Sequence, residues 1–423
     1  MKTILRFTLL AIILCTTQLC HARNLTVKSP DGKTVVTVNV KNNKPYYTMS
    51  HNGVTIITPS CLGFTLDKGA LGQKVRICGS KTTNKDETWH QIWGEQDETR
   101  NNYNELSVTF AEQDKSNRKM TAVFRVFNDG VGFRYIIAPS THNEEYRIMD
   151  EDTEINLAHD ANAWSIPSNH TSYFEGLYTR ELLSKKDTVC TPLTVEYGDS
   201  LFLAIHEAAL EDYASINLTP RIAGNGVRLL TALTPWQNGT KVYVKGEKST
   251  PWRTIIIGKT AGDLITSSLM LNLNEPSKIE DTSWIEPGRY IGIWWSIHKK
   301  NDTWELGEHH GATTENIKRY IDFAARHGFS GVLAEGWNPG WGEGEKVTYL
   351  KSYPDCDIEA VSKYAVGKGL RFIGHMESWG RSQLIEEEMD RAFAWFQKMG
   401  IRAVKTGYVG QLFDGKELAK SQY

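Results

Sequence analysis

The chain has 423 residues, of which 40% are hydrophobic and 23% are charged. This length and composition predict two or three globular domains with their own cores, and they exclude a largely disordered protein. The 48 basic and 50 acidic residues leave a formal net charge of -2. The charge balance therefore does not indicate a polyanion-binding surface, and nucleic acid is not an expected partner.

The first 22 residues have the pattern of a secretory signal peptide. Lys2 and Arg6 precede the apolar run LLAIILC, and the small residue Ala22 stands before the predicted cleavage point. The apolar run is too short to span a bilayer, and no second apolar segment of spanning length follows it. We therefore expect a protein that does not span a membrane, is cleaved after Ala22 and is exported to the periplasm of a Gram-negative bacterium.

Four cysteines follow the predicted signal peptide: Cys61, Cys78, Cys190 and Cys356. Their spacing matches no zinc signature, and an oxidising compartment would permit disulfides between them. A core of this size does not need a disulfide, so ordinary buried thiols are the expected state. No chemistry is assigned to these residues.

Short alternating runs fill the chain up to about residue 285. KTVVTVNV, KMTAVFRVF and GFRYIIA alternate apolar and polar residues, and turn sequences such as NDG and DGK separate the runs. Alternation with a period of two, interrupted by turn residues, is typical of strands in antiparallel sheets. The sequence therefore predicts an N-terminal β-sandwich domain over residues 23–285.

Strand-like and helix-like segments alternate over residues 286–423. The runs YIGIWW, GVLAEGW, LRFIGHMES and RAVKTGYVG are separated by amphipathic segments such as TTENIKRYIDFAARHGF. This βαβα order is typical of a parallel sheet, and the lack of G-x-G-x-x-G after the first strand favours a barrel over a doubly wound sheet. The predicted fold is multidomain, β plus α/β: a β-sandwich followed by strands one to four, the first half, of a (β/α)8 TIM barrel.

Polar and aromatic residues follow each of the four predicted barrel strands. They are Trp294 and Trp295, then Glu335, then His375 and Glu377, then Lys405. Barrel enzymes place their chemistry at this end of the strands. Carboxylates accept hydrogen bonds from hydroxyls and indole faces stack on sugars, so a neutral, hydroxyl-rich ligand is expected. One of the two tryptophans has the alternative role of packing, because neighbours on a strand face opposite sides.

Long stretches of the chain resemble glycoside hydrolase family 97. The resemblance runs through ETWHQIWGEQDETRNNYNEL, FRVFNDGVGFRY, LNLNEP, KRYIDFAARHGF and LAEGWN. Within that family the sequence is most similar to the α-glucosidases of bacterial starch-utilisation systems. The resemblance implies a β-sandwich before a (β/α)8 barrel. It also implies an exo-acting α-glucosidase that cleaves malto-oligosaccharides, α-linked glucose oligosaccharides, from their non-reducing ends.

The resemblance indicates why a glycine occupies position 407. The resemblance implies that retaining members of the family have an aspartate nucleophile at the end of the fourth barrel strand. The starch-system α-glucosidases have glycine at that position, as this chain does at Gly407. Retention needs two carboxyl groups about 5 to 5.5 Å apart, and inversion needs about 6.5 to 9.5 Å so that a water fits between them. The nucleophile position is therefore vacant and inversion by a single water displacement is expected. A glycine that merely permits a tight turn is the alternative.

The resemblance also implies roles for individual residues. Glu377 matches part of the general base, and Glu175 within TSYFEGLY matches a calcium ligand, a role that suits an oxygen donor. Four residues match positions that line the glucose subsite: Trp294, Glu335, His375 and Lys405. Met376 departs from the pattern, because the starch-system enzyme has a second histidine there.

Full-length relatives continue beyond the position of Tyr423, and the resemblance places the general acid, a second base carboxylate and most calcium ligands in those later parts. Two interpretations stay open. One is a calcium-assisted, inverting α-glucosidase, and the other is a truncated remnant that is inactive or merely binds sugar. A retaining α-galactosidase of the same family is a third reading, which Gly407 disfavours.

Overall fold

The computed structural model describes residues 24–116, 118–139, 141, 143–168, 176–198, 200–236, 238–377 and 382–407. The predicted signal peptide and Glu175 lie outside these ranges, so cleavage, export and the calcium role stay predictions. No helix within the described ranges is long and apolar enough to cross a membrane. The four cysteines are free thiols, of which Cys190 and Cys356 are buried and Cys78 is exposed.

Strands dominate the described chain up to residue 258. They are β1 Leu25–Lys28, β2 Thr34–Lys41, β3 Lys44–His51, β4 Val54–Cys61, β5 Phe64–Leu66, β6 Gly69–Leu71, β7 Val75–His90, β8 Glu98–Glu112, β9 Lys119–Phe127, β10 Gly130–Ala138, β11 Glu145–Glu151, β12 Glu154–Leu157, β13 Asn162–Ser165, β14 Thr179–Leu182, β15 Val189–Cys190, β16 Leu193–Glu196, β17 Phe202–Ala208, β18 Ile216–Ala223, β19 Gly226–Leu233, β20 Val242–Lys245, β21 Lys248–Ser249 and β22 Trp252–Gly258. A short 3-10 helix, Leu183–Lys185, follows β14.

These strands form two large antiparallel sheets and one small one. The first sheet has the order β1-β2-β3-β4-β12-β19-β18-β15, and the second has the order β14-β13-β16-β17-β22-β10-β9-β8-β7, with β21 beside β10. The small sheet has the order β20-β11-β5-β6. The long β7–β8 hairpin ends the second sheet.

The two large sheets face each other across one apolar core. In β2, Val36 and Val38 are buried and alternate with half-buried residues, as a strand with one buried face requires. Tyr47 of β3 lies with its ring 5.6 Å from that of Phe124 in β9 and 5.1 Å from that of Phe133 in β10. Side chains of the two sheets therefore interdigitate, and the β-sandwich prediction is confirmed.

Helices and short strands alternate after residue 258. They are α1 Ala261–Thr266, α2 Leu269–Leu273, β23 Tyr290–Gly292, α3 Trp294–His298, α4 Thr314–Arg326, β24 Gly331–Leu333, α5 Ile358–Gly367, β25 Arg371–Met376, α6 Ser382–Lys398 and β26 Ala403–Thr406. The four strands form a parallel sheet in the order β23-β24-β25-β26. This is the predicted half barrel, so the fold class is confirmed.

The helix α4 shows how local sequence builds the barrel repeat. Thr313 accepts a hydrogen bond from the backbone amide of Asn316 at 3.2 Å and so caps the helix. Ile317 and Ile321 are fully buried on the face that packs against the sheet. Gly328 follows with a φ of +69°, which only glycine adopts without strain, and turns the chain into β24.

Candidate active site

The parallel register brings four of the predicted site residues to one level of the sheet. Gly292 pairs with Leu333, Leu333 pairs with Ile373, and Ile373 pairs with Ala403. The residues two positions beyond this row are Trp294, Glu335, His375 and Lys405. All four therefore lie at the carboxyl edge of the sheet, where barrel chemistry is concentrated.

Glu335 is a buried carboxylate with two charged or polar donors. It is 4% exposed. The Nζ of Lys405 donates to its Oε1 at 2.8 Å, and the indole Nε1 of Trp304 donates to its Oε2 at 3.3 Å. A buried carboxylate is tolerated only with such partners, and Lys405 supplies the compensating charge. Glu335 is therefore held in one orientation.

His375 lies between the two carboxylates. Its Nε2 is 3.8 Å from Oε1 of Glu335 and 3.8 Å from Oε2 of Glu377. Both distances exceed a direct hydrogen bond, and a hydroxyl or a water to one side of either pair can contact both of its atoms. Burial lowers the pKa of His375 to about 4, although the charge of Glu335 acts in the opposite direction. The imidazole is therefore neutral at neutral pH and can donate one hydrogen bond.

Glu377 lies directly over Gly407. The backbone amide of Gly407 donates to the carbonyl of Met376 at 2.7 Å. A β-carbon built at position 407 would lie 2.2 Å from Oε2 and 2.5 Å from Cδ of Glu377. Gly407 does not have a positive φ, and residues 408–410, which would form the tight turn offered as an alternative, lie outside the described ranges, so that alternative stays open. What the glycine provides is space for the Glu377 carboxylate.

His310 fixes the backbone beside Glu335. It is 4% exposed, its Nδ1 is 2.7 Å from Oδ2 of Asp355, and its Nε2 is 2.8 Å from the carbonyl oxygen of Gly336. A carbonyl only accepts, so Nε2 is the donor in that contact. Gly336 has a φ of +77°, and a β-carbon there would lie 2.7 Å from the carbonyl oxygen of Trp304. The loop after β24 is thus held from two sides.

Two tryptophans that the sequence analysis missed form an aromatic wall. The rings of Trp304 and Trp341 stack with centroids 5.5 Å apart and an interplanar angle of 5°. The Trp341 ring is 6.2 Å from that of His375. Glu345 accepts hydrogen bonds from two backbone amides of the loop that carries Trp341. The sequence signal that could have identified these two residues is a tryptophan within each of the loop sequences NDTWELG and NPGWGEG, away from any strand end.

Trp294 differs from its prediction in local structure. Strand β23 ends at Gly292, and Trp294 and Trp295 begin the helix α3 rather than ending a strand. They therefore do not alternate between faces, and both are exposed, at 39% and 58%. The Trp294 ring stacks on that of His298 at 4.7 Å. The predicted position of the pair at the end of a strand was wrong, because the strand ends at Gly292 and a helix begins at Trp294, whereas the alternative that one of the two is a packing residue stays a prediction.

The described residues contain no cluster of acidic, histidine and cysteine side chains of the kind that holds a metal ion. In the ranges that the structure covers, no group of three or more histidine, cysteine, aspartate or glutamate side chains is arranged to hold a metal ion. The predicted ligand Glu175 lies outside those ranges.

Comparison with protein families decides the membership of the chain. The model described as Glycosyl-hydrolase 97 N-terminal matches residues 27–276, and the model described as Glycoside hydrolase 97 matches residues 294–423. The chain belongs to glycoside hydrolase family 97. The two matches fall on the β-sandwich and on the half barrel, so this family 97 chain carries the candidate site in the part that matches the glycoside hydrolase model.

Solved structures include a similar family 97 enzyme. The enzyme from Pseudoalteromonas sp. strain K8, in complex with acarbose, is 39% identical to this family 97 chain with a TM-score of 0.86. The match covers 91% of this chain and 59% of that one. A variant of the same enzyme was solved in complex with panose.

Two curated relatives are named as retaining alpha-galactosidases, one of them as probable. A retaining alpha-galactosidase from Bacteroides thetaiotaomicron is 26% identical over 449 residues, which covers 98% of this family 97 chain and 64% of the relative. A probable retaining alpha-galactosidase from Streptomyces bingchenggensis is 26% identical over 68% of this chain and 42% of its own length. The chain thus spans less than two thirds of the length of these relatives.

Proposed function

We propose that this family 97 chain carries the water-activating and glucose-binding side of an inverting, exo-acting α-glucosidase. The observation that carries the proposal is that the Glu377 carboxylate occupies the space that a side chain at position 407 would need, since a β-carbon there would lie 2.2 Å from its Oε2. No side chain at position 407 can attack an anomeric carbon. The carboxylate that occupies this space belongs to Glu377, which can instead take a proton from water.

The geometry around Glu377 suits a general base. Its backbone carbonyl accepts a hydrogen bond from the hydroxyl of Tyr349, which fixes the start of the side chain. The Oε2 of Glu377 and the Nε2 of His375 are 3.8 Å apart, so a hydroxyl or a water to one side of the pair can contact both atoms. The neutral His375 donates to that group while Glu377 accepts from it. A water held in this way is oriented and partly deprotonated as it attacks.

The remaining residues suit the binding of one sugar ring. Glu335 and Lys405 form an ion pair whose free acceptor and donor sites can bond ring hydroxyls. The stacked Trp304 and Trp341 present an apolar surface of the kind that covers sugar faces. The Glu335 carboxylate and the Lys405 ammonium compensate each other and the His375 imidazole is neutral, so this part of the site fits a neutral glycoside.

Glucose is favoured over galactose as the sugar released. The relative at 39% identity binds acarbose and panose, and panose is built of α-linked glucose units, whereas the relatives named as retaining α-galactosidases are 26% identical. A retaining mechanism needs a carboxylate nucleophile, and Gly407 cannot supply one. The names of the curated relatives nevertheless make a family α-galactosidase the second candidate.

The test uses the protein expressed from its complete gene. Its activity is measured on p-nitrophenyl α-glucoside and on p-nitrophenyl α-galactoside. The proposal expects a clear preference for the glucoside, and a preference for the galactoside would overturn the glucosidase assignment.

The stereochemistry is tested separately from the specificity. An NMR time course on maltose should show β-glucose as the first sugar released from the non-reducing end, because water attacks opposite the leaving group. Initial α-glucose would show that another carboxylate acts as a nucleophile. That result would overturn inversion even if the glucoside preference held.

A further inference from the structure

A large cavity lies in the sandwich domain, apart from the candidate active site. It has a volume of about 710 Å³ and lies between the distal half of the β7–β8 hairpin and residues 271–277. Arg125 of β9 lies in its wall. Small-molecule sites typically have volumes of about 300–1,000 Å³. All of the lining residues precede β23, so the cavity shares no residue with the candidate active site.

Aromatic rings line the cavity and are held in place. Trp89 donates from its indole Nε1 to Oδ1 of Asn272 at 2.9 Å, which joins the hairpin to the helix α2. The ring of Tyr103 lies under the guanidinium of Arg125, with 4.7 Å between the guanidinium carbon and the ring centroid. Trp93 is 60% exposed at the rim. A large indole exposed at the mouth of a polar cavity is the usual platform for a flat, partly apolar ligand.

Each charged residue in the lining of the cavity has a partner of opposite charge. Lys85 is 2.6 Å from Glu87 within the lining, whereas Arg125 donates to Glu105 at 2.8 Å and Glu275 is 3.6 Å from Arg134, two partners outside the lining. Since each cation already faces a carboxylate, the lining does not select a strongly charged ligand. Paired carboxylates and ammonium groups keep spare acceptor and donor positions, which suits a ligand rich in hydroxyls.

Asn101 adds an acceptor that the protein leaves without a partner. The residue is 7% exposed, and its Nδ2 donates to Oε1 of Glu87 at 3.2 Å. Its Oδ1 has no hydrogen-bond partner in the described part of the chain. A buried acceptor without a donor carries a desolvation cost, which a hydroxyl donor in the cavity would relieve.

We propose that this cavity is a second carbohydrate-binding site, which binds a neutral α-linked glucose oligosaccharide by stacking on Trp93 and Trp89. The preference for a neutral, hydroxyl-rich ligand rests on the lining of the cavity itself. The choice of glucose rests on the proposed function. A site of this kind would hold a glucan chain on the enzyme while another chain end is cleaved.

The experiment measures binding of maltotriose by isothermal titration to the protein expressed from its complete gene. A Glu335→Ala background removes active-site binding, so the remaining heat reports the second site. In that background Trp93→Ala should weaken maltotriose binding about tenfold, because it removes one aromatic stacking contact. Trp93→Phe keeps a ring and should restore part of the affinity. Trp236→Ala, a 39% exposed tryptophan outside the cavity, is the matched control and should change nothing.

The binding measurements distinguish a failure of the second site from a failure of the glucose assignment. Maltotriose binding that is equal with and without Trp93→Ala overturns the second site. If the galactose-containing trisaccharide raffinose binds in a Trp93-dependent manner and maltotriose does not, the carbohydrate site stands and the assignment of glucose falls. Oxidative footprinting of the sugar-free protein gives an independent check: a Trp93 that is fully protected would show that polypeptide fills the cavity, which overturns the proposal.

Discussion

A β-carbon at Gly407 would lie 2.2 Å from Oε2 of Glu377. The contacted atoms are the end of a flexible side chain, so Gly407→Ala should fold and should push the carboxylate aside. We expect the turnover of the variant to fall by up to about 10²- to 10⁴-fold, which is the loss that follows from removing a general base. Gly367→Ala, where a β-carbon meets nothing within 4 Å, is the control. Unchanged turnover of Gly407→Ala would show that the position of Glu377 does not matter.

Gly407→Asp separates the effect of volume from that of charge. Two carboxylates in contact raise the pKa of one of them, because both cannot ionise freely at close range. The acid limb of the pH–turnover profile should therefore move to higher pH than in Gly407→Ala. A profile that matches that of the alanine variant would contradict a base at Glu377. Release of α-glucose by the aspartate variant would indicate a change to retention.

Glu377→Gln tests the base directly. The amide keeps the shape of the side chain but cannot accept a proton, so turnover should fall by about 10²- to 10⁴-fold while KM changes little. The exposed Glu386→Gln on α6 controls for a general effect of losing a carboxylate. A large rise in KM with unchanged turnover would instead assign Glu377 to substrate binding.

The fold follows from local sequence signals, and so does the position of the site residues at one edge of the parallel sheet. Period-two alternation predicted the sandwich, and the four strand ends predicted the row from Trp294 to Lys405, because parallel strands in register deliver their ends to one edge. The conformation of Trp294 escaped prediction. YIGIWW is apolar throughout, and whether such a run stays extended depends on tertiary packing, which its periodicity does not reveal.

The loop residues of the site could not be predicted for a different reason. Trp304 and His310 lie in the segment between α3 and α4, whereas Trp341 and Gly336 follow β24, and the contacts between the two segments form only because these loops converge. Loop conformation depends on contacts such as that of His310 with Gly336, and no periodic pattern encodes such a contact.

His310→Asn should loosen the loop that carries Glu335. The shorter side chain keeps a polar group near Asp355 but cannot reach the carbonyl of Gly336, which His310 now contacts at 2.8 Å. Because Glu335 is assigned to binding, KM for the α-glucoside should rise about tenfold, equivalent to about 1.4 kcal/mol, with a smaller change in turnover. His310→Gln retains a donor near the Nε2 position and should recover much of the loss. Equal KM values in the two variants would refute the positioning role.

His375 should make stability depend on pH between about 6.5 and 4. Burial lowers its pKa to about 4 from the usual 6.5. In that window the unfolded chain binds more protons than the folded one, so the free energy of unfolding falls as pH drops, and the contribution of His375 is fully present above pH 6.5. Urea midpoints at pH 7, 5.5 and 4.5 should decline less steeply in His375→Gln than in the parent. The exposed His309→Gln should keep the parental slope.

The last prediction concerns a buried ion network that joins three strands of the sandwich. Arg253 is fully buried, and its guanidinium donates to Glu151 at 2.9 and 2.5 Å and to Glu207 at 2.8 Å. Both carboxylates are almost completely buried as well. Burial raises the pKa of Glu207 even though Arg253 acts to lower it. The arginine is therefore what allows two carboxylates to lie together inside the core.

Arg253→Met removes that charge and leaves two uncompensated carboxylates. The free energy of unfolding should fall by about 3–5 kcal/mol at pH 8, as for other buried pairs that lose one partner. The loss should shrink at pH 5, because without Arg253 burial raises the pKa of Glu207 unopposed and the folded state takes up a proton there. Arg180→Met breaks the exposed pair with Glu196, where Arg180 is 47% exposed, and should cost less than about 1 kcal/mol. Thermal melts at the two pH values distinguish the cases, and a loss in Arg253→Met that is the same at both would mean that lost packing, rather than unpaired charge, destabilises the core.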